Sequence, residues 1–203
     1  MRLDRPTAFG NPADRAVAGH SGATMTGPAN VRSLSAREAR GSVPALSEIL
    51  IDCVEGGASV GFMAPLTRER SDAFWRGVAE GVAAGERALL VAEERAGGGI
   101  VGTVQVVLAQ PENQPHRADI AKMLVLRSAR GQGLGTALMR SAEDAARAAG
   151  KSLLVLDTCA GSDAERLYGR LGWTRVGLVP GYALYPDGRP GGATFFYKPI
   201  AEN

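Results

Sequence analysis

The chain has 203 residues, 45% of them hydrophobic, and a formal charge of +2 from 23 basic and 21 acidic side chains. That length and apolar content suit one domain with a buried core and exclude wholesale disorder. The near-neutral balance excludes nucleic acid as the main partner, and the two distant cysteines, Cys53 and Cys159, give neither a disulfide framework nor a zinc spacing. Such cysteine usage fits a reducing cytoplasm. No apolar run approaches the ~18 residues of a membrane span, so neither a membrane nor a metal is expected as a partner.

Residues 1–30 are rich in Gly, Pro, Ala, Ser, Thr and Asn without hydrophobic periodicity, and they lack the apolar core of a secretory signal. They read as a disordered tail before a single domain over 31–203, with Met25 as a possible internal start. Val31 to Ser35 reads as a short strand. Leu46, Ile49, Leu50, Cys53 and Val54 follow helical spacing over 43–54, with Ser42 as N-cap. Residues 56–65 read as a loop. A second helix spans 68–84, with Phe74, Trp75, Val78 and Val82 on one face and Gly85 as its stop.

Residues 88–95 and 100–110 read as strands of a hairpin joined through Ala96-Gly97-Gly98-Gly99, and 119–127 as a third strand. An amphipathic helix follows over 134–149. Leu134, Leu138, Ala142, Ala145 and Ala149 are expected to face inward, and Arg140, Glu143, Asp144 and Arg147 outward. Leu153 to Asp157 reads as a buried parallel strand, and Ser162 with Glu165 as the capping box of a short helix closed by Gly172. Residues 173–179 and 193–199 read as the last strands, with a loop between them that turns at Pro186-Asp187-Gly188. A meander followed by a crossover predicts a mixed α/β (α+β) fold: one twisted mixed sheet of six to seven strands flanked by about four helices.

The richest segment is MLVLRSARGQGLGTAL, residues 123–138. An apolar strand enters a basic turn with glycines at 131, 133 and 135, then a helix. Glycine lets backbone approach an anion closely, and a helix start offers free N–H groups, so the junction reads as a phosphate cradle with Arg130 as a cation at its mouth. A dinucleotide-binding turn is the competing reading, since Asp157 lies about twenty residues beyond the glycines. Ser128-Ala129-Arg130 separates strand from glycines, however, and the turn follows an antiparallel meander. Both features disfavour that reading.

The turn Arg130-Gly131-Gln132-Gly133-Leu134-Gly135, with the later block LLVLDTCAGSDAERLYGRLGWTRVG, resembles the GNAT superfamily of acetyl-CoA-dependent N-acetyltransferases over about 31–199. HRADIAKMLV and VPGYALYPDG add a similarity to its tabtoxin-resistance-type branch. The resemblance implies acetyl-CoA as co-substrate and no metal. It implies that N–H groups of Arg130, Gly131, Gln132, Gly133, Leu134, Gly135 and Thr136 take the pyrophosphate, and that Met123, Leu124 and Val125 flank the pantetheine. The N–H near Leu124 would polarise the thioester carbonyl.

A protonated amine must lose a proton before it attacks, and Asp157 or Asp119 is the candidate base. By the same resemblance Tyr168 is the candidate acid toward the departing thiolate. Phe62, Phe74 and Trp75 line the acceptor side or belong to the core; Tyr182 and Tyr185 are candidate covers. A lone His116 in a polar loop reads as solvated, and Cys159 as a bystander. The expected activity is cytoplasmic acetyl transfer to a small-molecule amine, toxin-, antibiotic- or amino-acid-like and thus resistance-related, by a monomer or homodimer. A CoA-binding sensor without turnover and a protein or peptide N-acetyltransferase are the alternatives.

Overall fold

The computed structural model describes residues 29–94 and 98–200. The proposed tail, Met25 and the Ala96-Gly97 part of the hairpin connection lie outside them, although Ala29 and Asn30 already belong to the first strand. In chain order the elements are β1 (Ala29–Ser33), α1 (Ala36–Gly41), α2 (Val43–Glu55), α3 (Arg68–Ala83), β2 (Arg87–Glu94), β3 (Ile100–Val107), β4 (Arg117–Val125), α4 (Leu134–Ala148), β5 (Leu153–Cys159), α5 (Asp163–Arg170), β6 (Thr174–Leu184) and β7 (Pro190–Pro199). The sheet runs β1-β2-β3-β4-β5-β7-β6. Among the described residues only β4 and β5 are parallel neighbours.

Among the described residues five helices form where about four were expected. The addition is α1, a six-residue helix held by a capping box in which Ser35 and Glu38 satisfy each other's backbone N–H. It buries only Ala39, so no apolar periodicity announces it. Ser42 closes α1 with its N–H, and its side chain does not cap α2.

The alternation of β2 divides the core. Leu89 and Val91 pack with α1, α2 and α3 on one face; Leu90 and Ala92 pack with α4 on the other. On α4 the inward face differs from expectation: Leu134, Leu138, Met139, Ala142, Glu143 and Ala146 are buried, and Ala149 is exposed. Glu143, expected outside, accepts from the Lys198 ammonium on β7 at 2.7 Å and from the Trp173 indole N–H at 3.1 Å. A buried carboxylate survives there because two donors from beyond the helix meet it.

The last two strands are longer than expected. Residues 180–184 and 190–192 belong to a hairpin closed by Tyr185–Arg189, not to a loop. Gly181, at φ +64°, lies in an irregular stretch between Val179 and Ala183 that absorbs the Pro-Gly pair.

Candidate functional site

β4 and β5 pair over three residues only: Arg117 with Leu153, Ala118 with Leu154 and Asp119 with Val155. Beyond them each strand keeps its outer neighbour, β3 for β4 and β7 for β5, so a wedge opens between the two. A bulge in β4 shapes its wall. Thr103 faces Leu124 and Gln105 faces Ala121, so two steps on β3 span three on β4. The phase reverses accordingly: Ile120 faces the α4 core, yet Leu124, also even-numbered, faces the α1–α3 core.

Lys122 sits in this bulge at φ +49°, the one described non-glycine residue with positive φ. Its ammonium lies 5.7 Å from the Phe74 ring centroid, and Gly61 is its neighbour. Burial pulls the Lys122 pKa down, against an opposing pull from Asp157. Asp157, on β5 and open to solvent at its surface, moves the other way: desolvation raises its pKa, Lys122 opposes, and Asp119 adds a smaller rise. The two charges feel each other without closing into an ion pair among the described residues. Lys122 escaped the sequence reading; its signal was a lone lysine inside the apolar strand ADIAKMLV.

Asp119 stands at the closed end of the wedge. Its carboxylate accepts from Arg117 and from the Gln110 amide at 3.1 Å. Tyr168 is buried on α5 against Trp173 and Phe196; burial, then the Asp157 charge, pushes its hydroxyl pKa up.

At the open end, β4 passes through one 3₁₀ turn (Arg127–Ala129) into the glycines. Gly131 (φ +78°) and Gly133 (φ +80°, the α4 N-cap) require left-handed backbone, and no atom lies within 4 Å of where their Cβ would be. The backbone N–H groups of 131–136 donate to no atom of the described residues. An accessible run of unpaired donors at a helix start with open space before it fits a phosphate group. Gly135 serves another purpose: a Cβ there would meet Leu167 of α5 at 2.9 Å. Its absence leaves room for the Leu167 side chain of α5 against the first turn of α4. Arg130 turns away from the cradle. Its Nε donates to the Val125 carbonyl at 3.2 Å, and Nη2 points to Cys53 Sγ.

Across the wide end, loop 56–65 meets the β6–β7 hairpin tip. Ser59 Oγ donates to the Leu184 carbonyl at 2.9 Å, and the Ala64 N–H to that of Pro186 at 3.0 Å. Cys159, where β5 ends, donates from Sγ to Tyr185 Oη at 2.9 Å. Phe62 and Phe74 pack edge to face, as do Tyr182 and Phe195; Trp75 is wholly buried and belongs to the core. His116 is exposed. Among the described residues no cluster of His, Cys, Asp or Glu could hold a metal, and no helix is long and apolar enough to cross a membrane.

Fold and site together define an α/β protein in which a run of unpaired N–H groups at a helix start opens onto a wedge in the sheet. Residues 45–173 match the model of the Acetyltransferase (GNAT) family. The chain is 34% identical over 119 residues, 58% of its length, to the uncharacterized N-acetyltransferase in the hisH-hisA intergenic region of Azospirillum brasilense, covering 68% of that protein. Solved structures share the fold. The N-acetyltransferase of Staphylococcus aureus Mu50 has a TM-score of 0.70 at 19% identity, over 85% of this chain and 99% of that one. The Salmonella typhimurium protein yncA, solved with acetyl-CoA, has 0.70 at 21%, over 86% and 95%. A phosphinothricin acetyltransferase from Sinorhizobium meliloti, in complex with acetyl-CoA, has 0.69 at 18%, over 87% and 90%. The chain belongs to the acetyltransferase (GNAT) family and is an acyltransferase.

Proposed function

We propose that the protein transfers acetyl from acetyl-CoA to the amine of a small molecule, by direct attack within a ternary complex. The observation carrying the small-molecule reading is the contact of loop 56–65 with the hairpin tip across the wide end of the wedge. Two hydrogen bonds there tie the loop to the hairpin tip, an arrangement that suits a small acceptor better than an extended protein chain. The similarity to the tabtoxin-resistance-type branch points the same way, toward a toxin-, antibiotic- or amino-acid-like acceptor and a role in resistance. A cytoplasmic setting suits such a substrate. Free-thiol release across a panel of small amines tests the reading; saturable CoA binding with no release for any amine would sink it in favour of a sensor.

Acetyl-CoA supplies an activated acyl group on a thiol leaving group. The free N–H groups of 131–136 bind its pyrophosphate, and Met123, Leu124 and Val125 line its path into the wedge. The N–H near Leu124 holds the carbonyl oxygen as it gains charge. Asp157 is the better base of the two acids, because Asp119 already accepts from Arg117 and Gln110. It takes the proton from the acceptor ammonium, directly or through water.

Replacing Gly133 with Val should raise the CoA dissociation constant about tenfold or more, since the left-handed geometry costs roughly 1–2 kcal/mol with a Cβ. Gly133→Asn should do much less harm, because Asn tolerates that geometry and meets open space. Calorimetric CoA titration separates them; equal affinity in the Val variant would remove Gly133 from the cradle.

Tyr168 acts as a hydrogen-bond donor to the departing sulfur more than as a full acid. Its hydroxyl, pushed above the ordinary phenol value, is weaker than a thiol of pKa near 8.5. Tyr168→Phe should therefore lower kcat only about tenfold, in line with one hydrogen bond to a charged atom. Steady-state kinetics decide: a loss nearer ~10³-fold would restore it as a true general acid.

A further inference from the structure

We infer that Lys122 reads a negatively charged group on the acceptor, so that the acceptor is a zwitterion: an amine with a carboxylate, or a like anionic group, a few bonds away. The inference rests on Asp157 taking the ammonium, and it adds the other half of the substrate.

Backbone geometry comes first. A lysine at φ +49° is a strained choice, and such strain persists where the surrounding strand over-determines it. The bulge does so by inserting one residue and re-aiming the side chain, a use bulges have beside binding sites. Lys122 therefore leaves the regular faces of β4 and lies beside Phe74 and Gly61, on the α1–α3 side.

The charges come second. Among the described residues the Lys122 ammonium makes no hydrogen bond and no ion pair, although it is partly buried. A cation withdrawn from water without an acceptor is costly, and the Phe74 ring offsets only part of that. Asp157 is close enough to perturb it but does not meet it. Leu154 and Leu156 face the α4 core, so by strand alternation Asp157 projects from the other face of the sheet, the α1–α3 side on which Lys122 lies. A separated cation and anion on one face form the complement of a ligand carrying both charges in reverse. An acceptor ammonium lies at Asp157 while its anionic group lies at Lys122. Phe74 beside the Lys122 ammonium, with Phe62 packed on it, adds apolar surface suited to a carbon skeleton.

The test uses L-amino acids, each beside its carboxamide and its decarboxylated amine, with the full-length protein and acetyl-CoA. The wild-type protein should favour the carboxylate by about 10²-fold in kcat/KM, as expected when a charged partner is lost from a desolvated site. Carboxamides are weaker bases and carry more neutral amine, so amine basicity cannot produce that order. Lys122→Met should reduce the preference to within about threefold, chiefly through KM, with CoA affinity unchanged. Lys122→Arg should keep it, and Lys122→Gln replaces the Met variant if that one does not fold.

Equal use of carboxylate and carboxamide by the wild type would overturn the inference. So would a Lys122→Met variant that loses kcat on all acceptors alike and keeps its preference. If no acceptor releases thiol, the acetyl-transfer reading fails, and calorimetric binding of the same compounds to the CoA-loaded protein still decides. Carboxylates that bind the wild type tighter than Lys122→Met support the assignment, and equal binding overturns it.

Discussion

Asp157→Asn is expected to lower kcat about 10³-fold while leaving CoA affinity within about twofold. The amide keeps the size of the carboxyl and the β5 position opposite Phe195, but it cannot accept a proton. The pKa of Asp157 is tuned upward. Desolvation raises its pKa more than Lys122 lowers it, so the ionised form is a stronger base than a fully solvated aspartate. A base must be ionised to work, so kcat should fall as pH drops through this group, at a pH above the ordinary aspartate value near 3.9. That acid limb should vanish in the variant. Asp119→Asn is the comparator and should cost less than about tenfold, its carboxylate being already engaged. Wild-type kcat in Asp157→Asn would remove that residue from the mechanism.

Glu143→Ala should destabilise the fold by about 3 kcal/mol, measured by urea unfolding. Removing the carboxylate strands two donors, the Lys198 ammonium and the Trp173 indole N–H, and leaves a cavity on α4. The lower end of the usual range for a broken buried pair applies because the Lys198 side chain keeps 22% of its surface in water, and its ammonium also reaches the Leu171 carbonyl. Glu143→Gln should recover part of the loss by accepting from Trp173. The stakes reach beyond stability, since α4 carries the unpaired N–H groups at its start and Glu143 ties its middle to β7. An unfolding free energy unchanged in the Ala variant would show the network to be idle.

Glu143 also marks where sequence reading reaches its limit. On a helical wheel it borders the apolar stripe, and a charge there reads as solvated; its partner Lys198 is 55 positions away, where no local pattern points. The glycine turn, α4 and α5 were legible because caps, breakers and periodicity act within a few residues. The β4 bulge was not, because a bulge has no residue signature and appears only when β3 is laid beside β4. Lys122 was lost with it. Asp119 and Asp157 were found together, but the difference between them, one engaged by Arg117 and Gln110 and the other left in the wedge, depends on tertiary neighbours. The long β6–β7 hairpin hid behind a Pro-Gly pair that reads as a break.

The three-residue seam between β4 and β5 makes the sheet a book of two unequal leaves, β1–β4 and β5–β7–β6. Its spine lies on the α4 face, where one core gathers Leu90, Ala118 and Ile120 from the first leaf with Leu154, Leu156 and Phe196 from the second. The core on the opposite face draws on the first leaf alone. There the leaves meet through a clasp, Ser59 to Leu184 and Ala64 to Pro186. Each such hydrogen bond is worth about 1 kcal/mol net, far less than a core. The α4 face thus joins the two leaves through a shared core, and the opposite face joins them through two hydrogen bonds.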